Sequence, residues 1–206
     1  CGSPIVAKLT MCAAVTIGDP HFDNQTNPYF YRLTPSDALQ GKALGYYAAT
    51  HGLTHAAAAF TSDLGAQTSV PPLRTEYKKL GHKLVADLTL APGASSYRTE
   101  VSQVIAAHPD ALIAEMDPQS QATFMSEYQQ LAGKLPLTIG TERTATSDVL
   151  GALRSSLGVA NMQKYIKTIT PYVGLTGAGY TLYKKTLTAL SSKIPNASQY
   201  IGHPYS

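Results

Sequence analysis

From Tyr29 onward, short apolar runs alternate with amphipathic stretches, and glycine, proline or Ser/Asp turns separate them. Such a chain resolves into parallel strands buried on both faces, each followed by a helix that packs back onto the sheet. The fold class read from this pattern is α/β with a mostly parallel sheet in three layers. The run His55-Ala56-Ala57-Ala58-Ala59-Phe60 is the hardest to place, because alanine suits a helix as well. Its flanks decide for a short buried strand: Gly52-Leu53-Thr54 before it and Thr61-Ser62-Asp63-Leu64-Gly65 after it are turn chemistry.

The remaining elements follow the same punctuation. The aromatic run Asn27-Pro28-Tyr29-Phe30-Tyr31-Arg32-Leu33 reads as extended and leads at once into a helix over about 36–50. Thr34 or Ser36 offers a capping oxygen, Pro35 suits the first turn, and Asp37 suits the positive end of the helix dipole. A second helix is expected over about 66–80, kinked or delayed by Pro71-Pro72 and closed by Gly81. Residues 83–90 alternate as a strand with Leu84, Ala86, Leu88 and Leu90 on one face. Ser95 or Ser96 then caps a helix whose apolar face is Tyr97, Val101, Val104 and Ile105. A strand over 111–114, a helix opened by Asp117-Pro118 with Phe124, Met125, Tyr128 and Leu131 inward, and a strand over 137–140 complete the core. A polar loop over 141–147, a helix over 148–157, an extended stretch over 167–173, a loop over 174–179, a helix over 180–191 and a loop-like tail close the chain.

Composition removes several function classes. The chain is 44% hydrophobic and 14% charged, with a net charge of +3 spread over 206 residues. That charge is no nucleic-acid footprint, since no basic stripe alternates with aromatics. No apolar run reaches ~18 residues, so no membrane insertion is expected. Two cysteines, Cys1 and Cys12, make neither a disulfide framework nor a metal site. A Cys at position 1 fits the start of a processed bacterial lipoprotein, although the residues after it read as the middle of a domain.

An enzyme lacks its parts here. The six histidines show no metal-binding spacing, and neither H-E-x-x-H nor G-x-S-x-G occurs. Gly174-Leu175-Thr176-Gly177-Ala178-Gly179 precedes a helix but lacks the Lys-Ser/Thr ending of a phosphate loop. No catalytic residue, metal or cofactor is expected.

The order of these pieces resembles the type I periplasmic substrate-binding proteins of ABC transporters, in their branched-chain amino-acid-binding branch. The segment from Asn27 to Leu44 resembles the crossover into that family's second lobe. Thr61-Ser62-Asp63-Leu64-Gly65 lies where the family shows Asp-Tyr-Gly. His108-Pro109-Asp110-Ala111-Leu112 resembles its Asn-Pro-Asp-Ala turn, and Leu135-Pro136-Leu137-Thr138-Ile139-Gly140 its Pro-Leu-Ile-Gly strand. Thr170-Pro171-Tyr172 with a Tyr-rich helix after it resembles the return segment. The resemblance implies a Rossmann-like lobe divided at 1–28 (end of lobe one and crossover), 29–173 (second lobe) and 174–206 (return segment), with Ser3 to Ala7 as the last strand of lobe one. Complete members are much longer, so the chain reads as an excised second lobe.

The same resemblance implies a solute-binding component of an ABC importer, with an amino acid or similar small polar ligand and an ABC permease as partners. The compartment implied is periplasmic or extracellular, with a lipid anchor as a further option. The alternative is an extracellular ligand-sensing domain of a signalling receptor. Ligands in such folds sit at the carboxyl ends of the parallel strands. Three loops occupy such ends: 62–65, 115–118 and 141–144. Glu142 matches the acid that receives the ligand ammonium in amino-acid-binding members; its other reading is a solvated acid paired with Arg143. Leu64 stands where the family has a Tyr, and Met116 or Asp117 where an aromatic is common, which points to a differently shaped or more polar ligand. Asp63 and Asp117 are ligand candidates or helix caps. Thr16 resembles the lobe-one end that holds the ligand carboxylate.

Overall fold

The computed structural model describes residues 12–14, 18–24, 30–32, 35–169 and 177–193. The expected strand at Ser3 to Ala7 and the candidate Thr16 lie outside them. Two units are distinguished, Cys1–Ile169 and Thr170–Ser206. In the first, β1 (Cys12–Ala14) pairs in parallel with β2 (Phe30–Arg32), as a two-stranded sheet separate from the main one.

The main sheet takes β3 (Ala56–Thr61), β4 (Ala86–Leu90), β5 (Ala111–Glu115), β6 (Thr138–Gly140) and β7 (Ile166–Thr168) in the order β4-β3-β5-β6-β7, all parallel. Helices α1 (Asp37–Thr50) and α2 (Leu64–Lys79) cover one face. Helices α3 (Arg98–Ala106), α4 (Pro118–Ala132) and α5 (Ser147–Leu157) cover the other. The period of two divides the strands between two cores. Ala56, Ala58, Phe60, Ala111, Ile113 and Ile139 pack under α1 and α2, whereas Ala57, Ala59, Leu112 and Ala114 pack under α3 to α5. The α/β, three-layer, parallel architecture expected from the sequence is the one observed.

Helices α1 and α2 approach each other closely. In α1, Gly41 and Gly45 face α2 without a side chain. A Cβ at Gly41 would run into the Ser69 carbonyl oxygen, and one at Gly45 would lie 2.9 Å from that of Leu73. Tyr77 of α2 ties this layer to the sheet: its hydroxyl donates to the Leu53 carbonyl at 2.6 Å and accepts from the Ala56 N–H at 3.2 Å. Tyr77→Phe strands a buried N–H and a carbonyl at the start of β3. The expected cost is about 1–3 kcal/mol, read as a lowered urea midpoint with unchanged slope.

Several boundaries differ from expectation. Ser36 caps α1, its Oγ accepting from the Ala38 N–H, so Pro35 precedes the cap instead of sitting in the first turn. Helix α2 is not delayed by Pro71 and Pro72 but begins earlier, at Leu64, and runs through both. Burial of Val70, Leu73 and Tyr77 against the sheet outweighs the lost backbone bonds. Strand β4 starts at Ala86, and Leu84 packs into the α1/α2 core while Ala86, Leu88 and Leu90 face α3. On β4 the outward Asp87 takes a two-pronged bond from Arg74 of α2, at 2.5 and 2.9 Å.

The cap of α3 is Tyr97, with no side-chain bond of its own. Ser96, one of the two expected caps, accepts the Arg98 N–H at the first residue of α3 at 3.3 Å, and Glu127 of α4 adds a second acceptor, taking the Tyr97 N–H at 2.7 Å and the Ser96 hydroxyl at 2.7 Å. Leu131 is 42% exposed and does not point inward. A seven-residue helix, α6 (Val159–Tyr165), occupies a stretch the sequence left without an element; Gly158 at φ +78° turns the chain into it. In the second unit, α7 (Ala178–Ala189) begins two residues earlier than expected.

Candidate functional site

The carboxyl ends of β3, β5 and β6 bring three loops together, and each begins with a polar residue that the strand register aims at the same end of the sheet. After β3, Asp63 caps α2: its Oδ1 accepts from the Ala66 N–H at 3.2 Å and its Oδ2 from the Thr61 hydroxyl at 2.6 Å. After β5, Asp117 caps α4, accepting from the Ser120 N–H at 3.0 Å and the Ser120 hydroxyl at 2.5 Å. After β6, Thr141 opens a 3-10 turn, Glu142–Ala145, whose Arg143 reaches back across the sheet end. Its Nη1 donates to Asp63 Oδ1 at 2.8 Å and lies 3.9 Å from Glu115 Oε1.

Helix dipoles and hydrogen bonds keep the two caps ionised. Burial works to raise the Asp63 carboxyl, but the Thr61 hydroxyl, Arg143 and the Ala66 amide outweigh it and hold it below the usual range. Asp117 is likewise held low against burial, chiefly by Ser120. Ser120 is wholly buried and also receives the Gly93 N–H, so Asp117 belongs to a structural network at the start of α4.

Glu115 and Glu142 behave in the opposite way. Glu115 is the last residue of β5 and only 6% exposed. Burial, then the neighbouring Glu142 carboxylate, push its carboxyl up to about 8, against the pull of Arg143; Asp37 and Asp63 add to the rise. Glu142 is also raised, first by burial, with Asp37 adding to it and its own backbone N–H and Arg143 opposing. Among the described residues, Glu115 Oε2 and Glu142 Oε2 are buried without a hydrogen-bond partner, as is Gln121 Nε2. Gln121 is held at its other end by the Thr144 hydroxyl, 3.4 Å away, and Thr144 fills the space over Gly140. Buried acceptors of this kind are rare in a finished interior and mark a place completed by something else.

Of the residues expected at the site, Glu142, Asp63, Leu64 and Asp117 stand around this strand end, while Met116 is buried in the apolar core under α3 to α5. Glu142 is partly buried, and Arg143 gives its bond to Asp63. Leu64, at 71% exposed, heads α2. With Gly18, Asp19, Phe22, Asp37, Gly65 and Thr68 it lines a cavity of about 370 Å³. Asp37 joins that cavity to the acids: it takes the Thr68 hydroxyl at 2.6 Å, and its N–H donates to the Gly18 carbonyl at 2.7 Å. Glu115 was not singled out from the sequence. Its signal was available, an acid ending a wholly apolar strand, but it was overshadowed by Met116 and Asp117 beside it.

A five-stranded parallel sheet with polar residues converging at its carboxyl end is shared by many folds. The comparison that decides between them is a family model described as "Periplasmic binding protein", which matches residues 5–203. The chain belongs to the periplasmic binding protein family. No curated protein matches the sequence significantly.

Solved structures agree on the fold of this periplasmic binding protein. A leucine binding protein from Thermotoga maritima superposes with a TM-score of 0.73 at 14% identity, covering 98% of this chain and 57% of that one. A branched-chain amino acid ABC transporter protein from Thermus thermophilus, solved with bound valine, gives 0.69 at 15% identity, covering 94% and 49%. A solute binding protein from R. palustris, in complex with benzoate, gives 0.61 at 20% identity, covering 82% and 44%. The chain thus spans about half the length of the structures it matches. No helix among the described residues is long and apolar enough to cross a membrane.

Proposed function

We propose that this chain is the second lobe of a solute-binding component of an ABC importer, capturing an amino acid or similar small polar molecule against a partner lobe. The observation that carries the reading is Glu142: an acid at the carboxyl end of a parallel strand, with a buried carboxylate oxygen that lacks a partner among the described residues. An ammonium placed there completes that oxygen with a charge-assisted hydrogen bond. The family supports the rest: residues 29–173 form the ligand-facing lobe, 1–28 the end of lobe one and crossover, and 174–206 the return. The ABC permease is the partner, and the compartment is periplasmic or extracellular. Leu64 and Asp63 border the ligand, and the chemistry is binding without catalysis.

Thermal-shift titration of the full protein against amino acids, small amides and carboxylates tests this. An amine-bearing ligand that raises the melting temperature of the wild type is expected to lose that effect in Glu142→Ala, a loss of about 2–5 kcal/mol in binding. Equal stabilisation of both forms removes Glu142 from the site. A response to nicotinamide dinucleotides alone overturns the receptor reading.

A further inference from the structure

Glu142 does not stand alone. Asp37 from the start of α1, Asp63 from the start of α2 and Glu142 all lie near enough to Glu115, at the end of β5, to raise its carboxyl, and among the described residues Arg143 is the cation that opposes them. Arg143 is committed to Asp63 at 2.8 Å and comes no closer than 3.9 Å to Glu115. Asp63 is further satisfied by Thr61 and Ala66, and Asp37 by Thr68. What remains is one open oxygen on each glutamate, and Glu115 is more than nine-tenths buried. An unpaired buried acid is costly to hold ionised, so this pair is unfinished without a donor-rich cation. Among the described residues no group of three His, Cys, Asp or Glu side chains has the arrangement of a metal site.

We propose that Glu115 is a second ligand-binding acid, and that Glu115 and Glu142 together clasp the cationic head of a small molecule carrying net positive charge, with a guanidinium or a basic amine as the fitting group. The proposal rests on the reading of this strand end as the ligand face of the lobe. A guanidinium offers several N–H donors in one plane and so serves two carboxylates at once. The open oxygens of Glu115 and Glu142 can accept hydrogen bonds from a cationic head, whereas the carboxylate of an anionic head such as benzoate would meet them with like charge. Capture by this pair also releases a proton. With the Glu115 carboxyl at about 8 when empty, affinity for the cation weakens by up to about tenfold for each pH unit below that value.

Calorimetric titration of the full protein with agmatine, L-arginine, L-leucine, benzoate and calcium chloride, at about pH 6 and about pH 8, distinguishes the outcomes. Agmatine or arginine is expected to bind at least about tenfold more tightly at the higher pH. Glu115→Gln is expected to flatten that dependence and weaken binding at the higher pH by about tenfold or more. Glu142→Gln is expected to weaken binding and to move the dependence toward lower pH without removing it, because the Glu142 carboxylate is one of the causes of the raised Glu115 carboxyl. Leucine binding that needs Glu142 but is indifferent to Glu115→Gln overturns the proposal and preserves the receptor reading. Benzoate binding that ignores both substitutions overturns both, as does silence from every probe. A response to calcium alone replaces the organic cation with a metal and overturns the proposal.

Discussion

Glu115→Gln is expected to make the protein more stable at about pH 8, and to remove most of the fall in stability between about pH 5 and about pH 8. A carboxyl raised to about 8 in the folded state binds its proton there while the unfolded chain has released it. Over that window the native state holds more protons, so stability declines as pH rises, at a steepest slope of about 1.4 kcal/mol per pH unit. Below the unfolded value, near pH 4.5, both states are protonated and the effect vanishes. At the upper end the accumulated cost is on the order of 4 kcal/mol, which the neutral glutamine escapes. Asp63 and Asp117, both held low, act elsewhere: their contribution is present above the unfolded value of 3.8 and is lost only as pH falls further. Urea unfolding of both proteins at several pH values reads the difference directly. Parallel pH curves for wild type and variant would show that Glu115 is not the titrating group.

Gly41→Leu is expected to be the most damaging single change on the other face of the sheet. The Ser69 carbonyl oxygen already occupies the space of a Cβ there, and Gly45 one turn on is closed by the Leu73 carbonyl. Neither obstacle is a side chain that swings away, so α1 must lift from α2. Leu44 and Ala48 of α1 would lift with it from Val70, Leu73 and Tyr77. Overpacking of this kind costs about 3 kcal/mol or more, far beyond the ~1 kcal/mol of helix propensity that leucine brings over glycine. Thermal unfolding shows it as a large drop in melting temperature, and a drop of only a degree or two would mean that the layer yields at little cost.

The legibility of this chain follows from where its information is local. Strands β3, β5 and β6 are short apolar runs, and the turn residues that flank them place them. Helix α1 is announced by Ser36 and Asp37. The shortfalls arise where tertiary contacts override local rules. Pro71 and Pro72 argue against a continuous helix, yet the apolar stripe of α2 holds it on the sheet. Ser96 takes the first N–H of α3 as its chemistry suggests, but the second acceptor at that end is Glu127, some thirty residues away. Leu131 keeps the helical spacing of an inward residue and is exposed because α4 ends one residue later at Ala132 and Gly133. At the site, Glu142 was found through the resemblance, and Asp63 and Asp117 through their cap positions. An acid ending an apolar strand marks Glu115 in the sequence, but its raised carboxyl depends on burial and on Glu142 and Asp37 around it, which no spacing along the chain reveals.

The bond from Arg74 to Asp87 has a consequence for how this protein behaves in company. Among the described residues strand β4 ends the order of the main sheet, so its outer side carries a row of backbone donors and acceptors that no described strand of that sheet uses. Such a border invites the border of another molecule. Charged side chains on an outermost strand are one of the features that blunt such a border against pairing, and Asp87 with Arg74 places a charged pair there. The pair adds little to the stability of a single molecule, being largely in water.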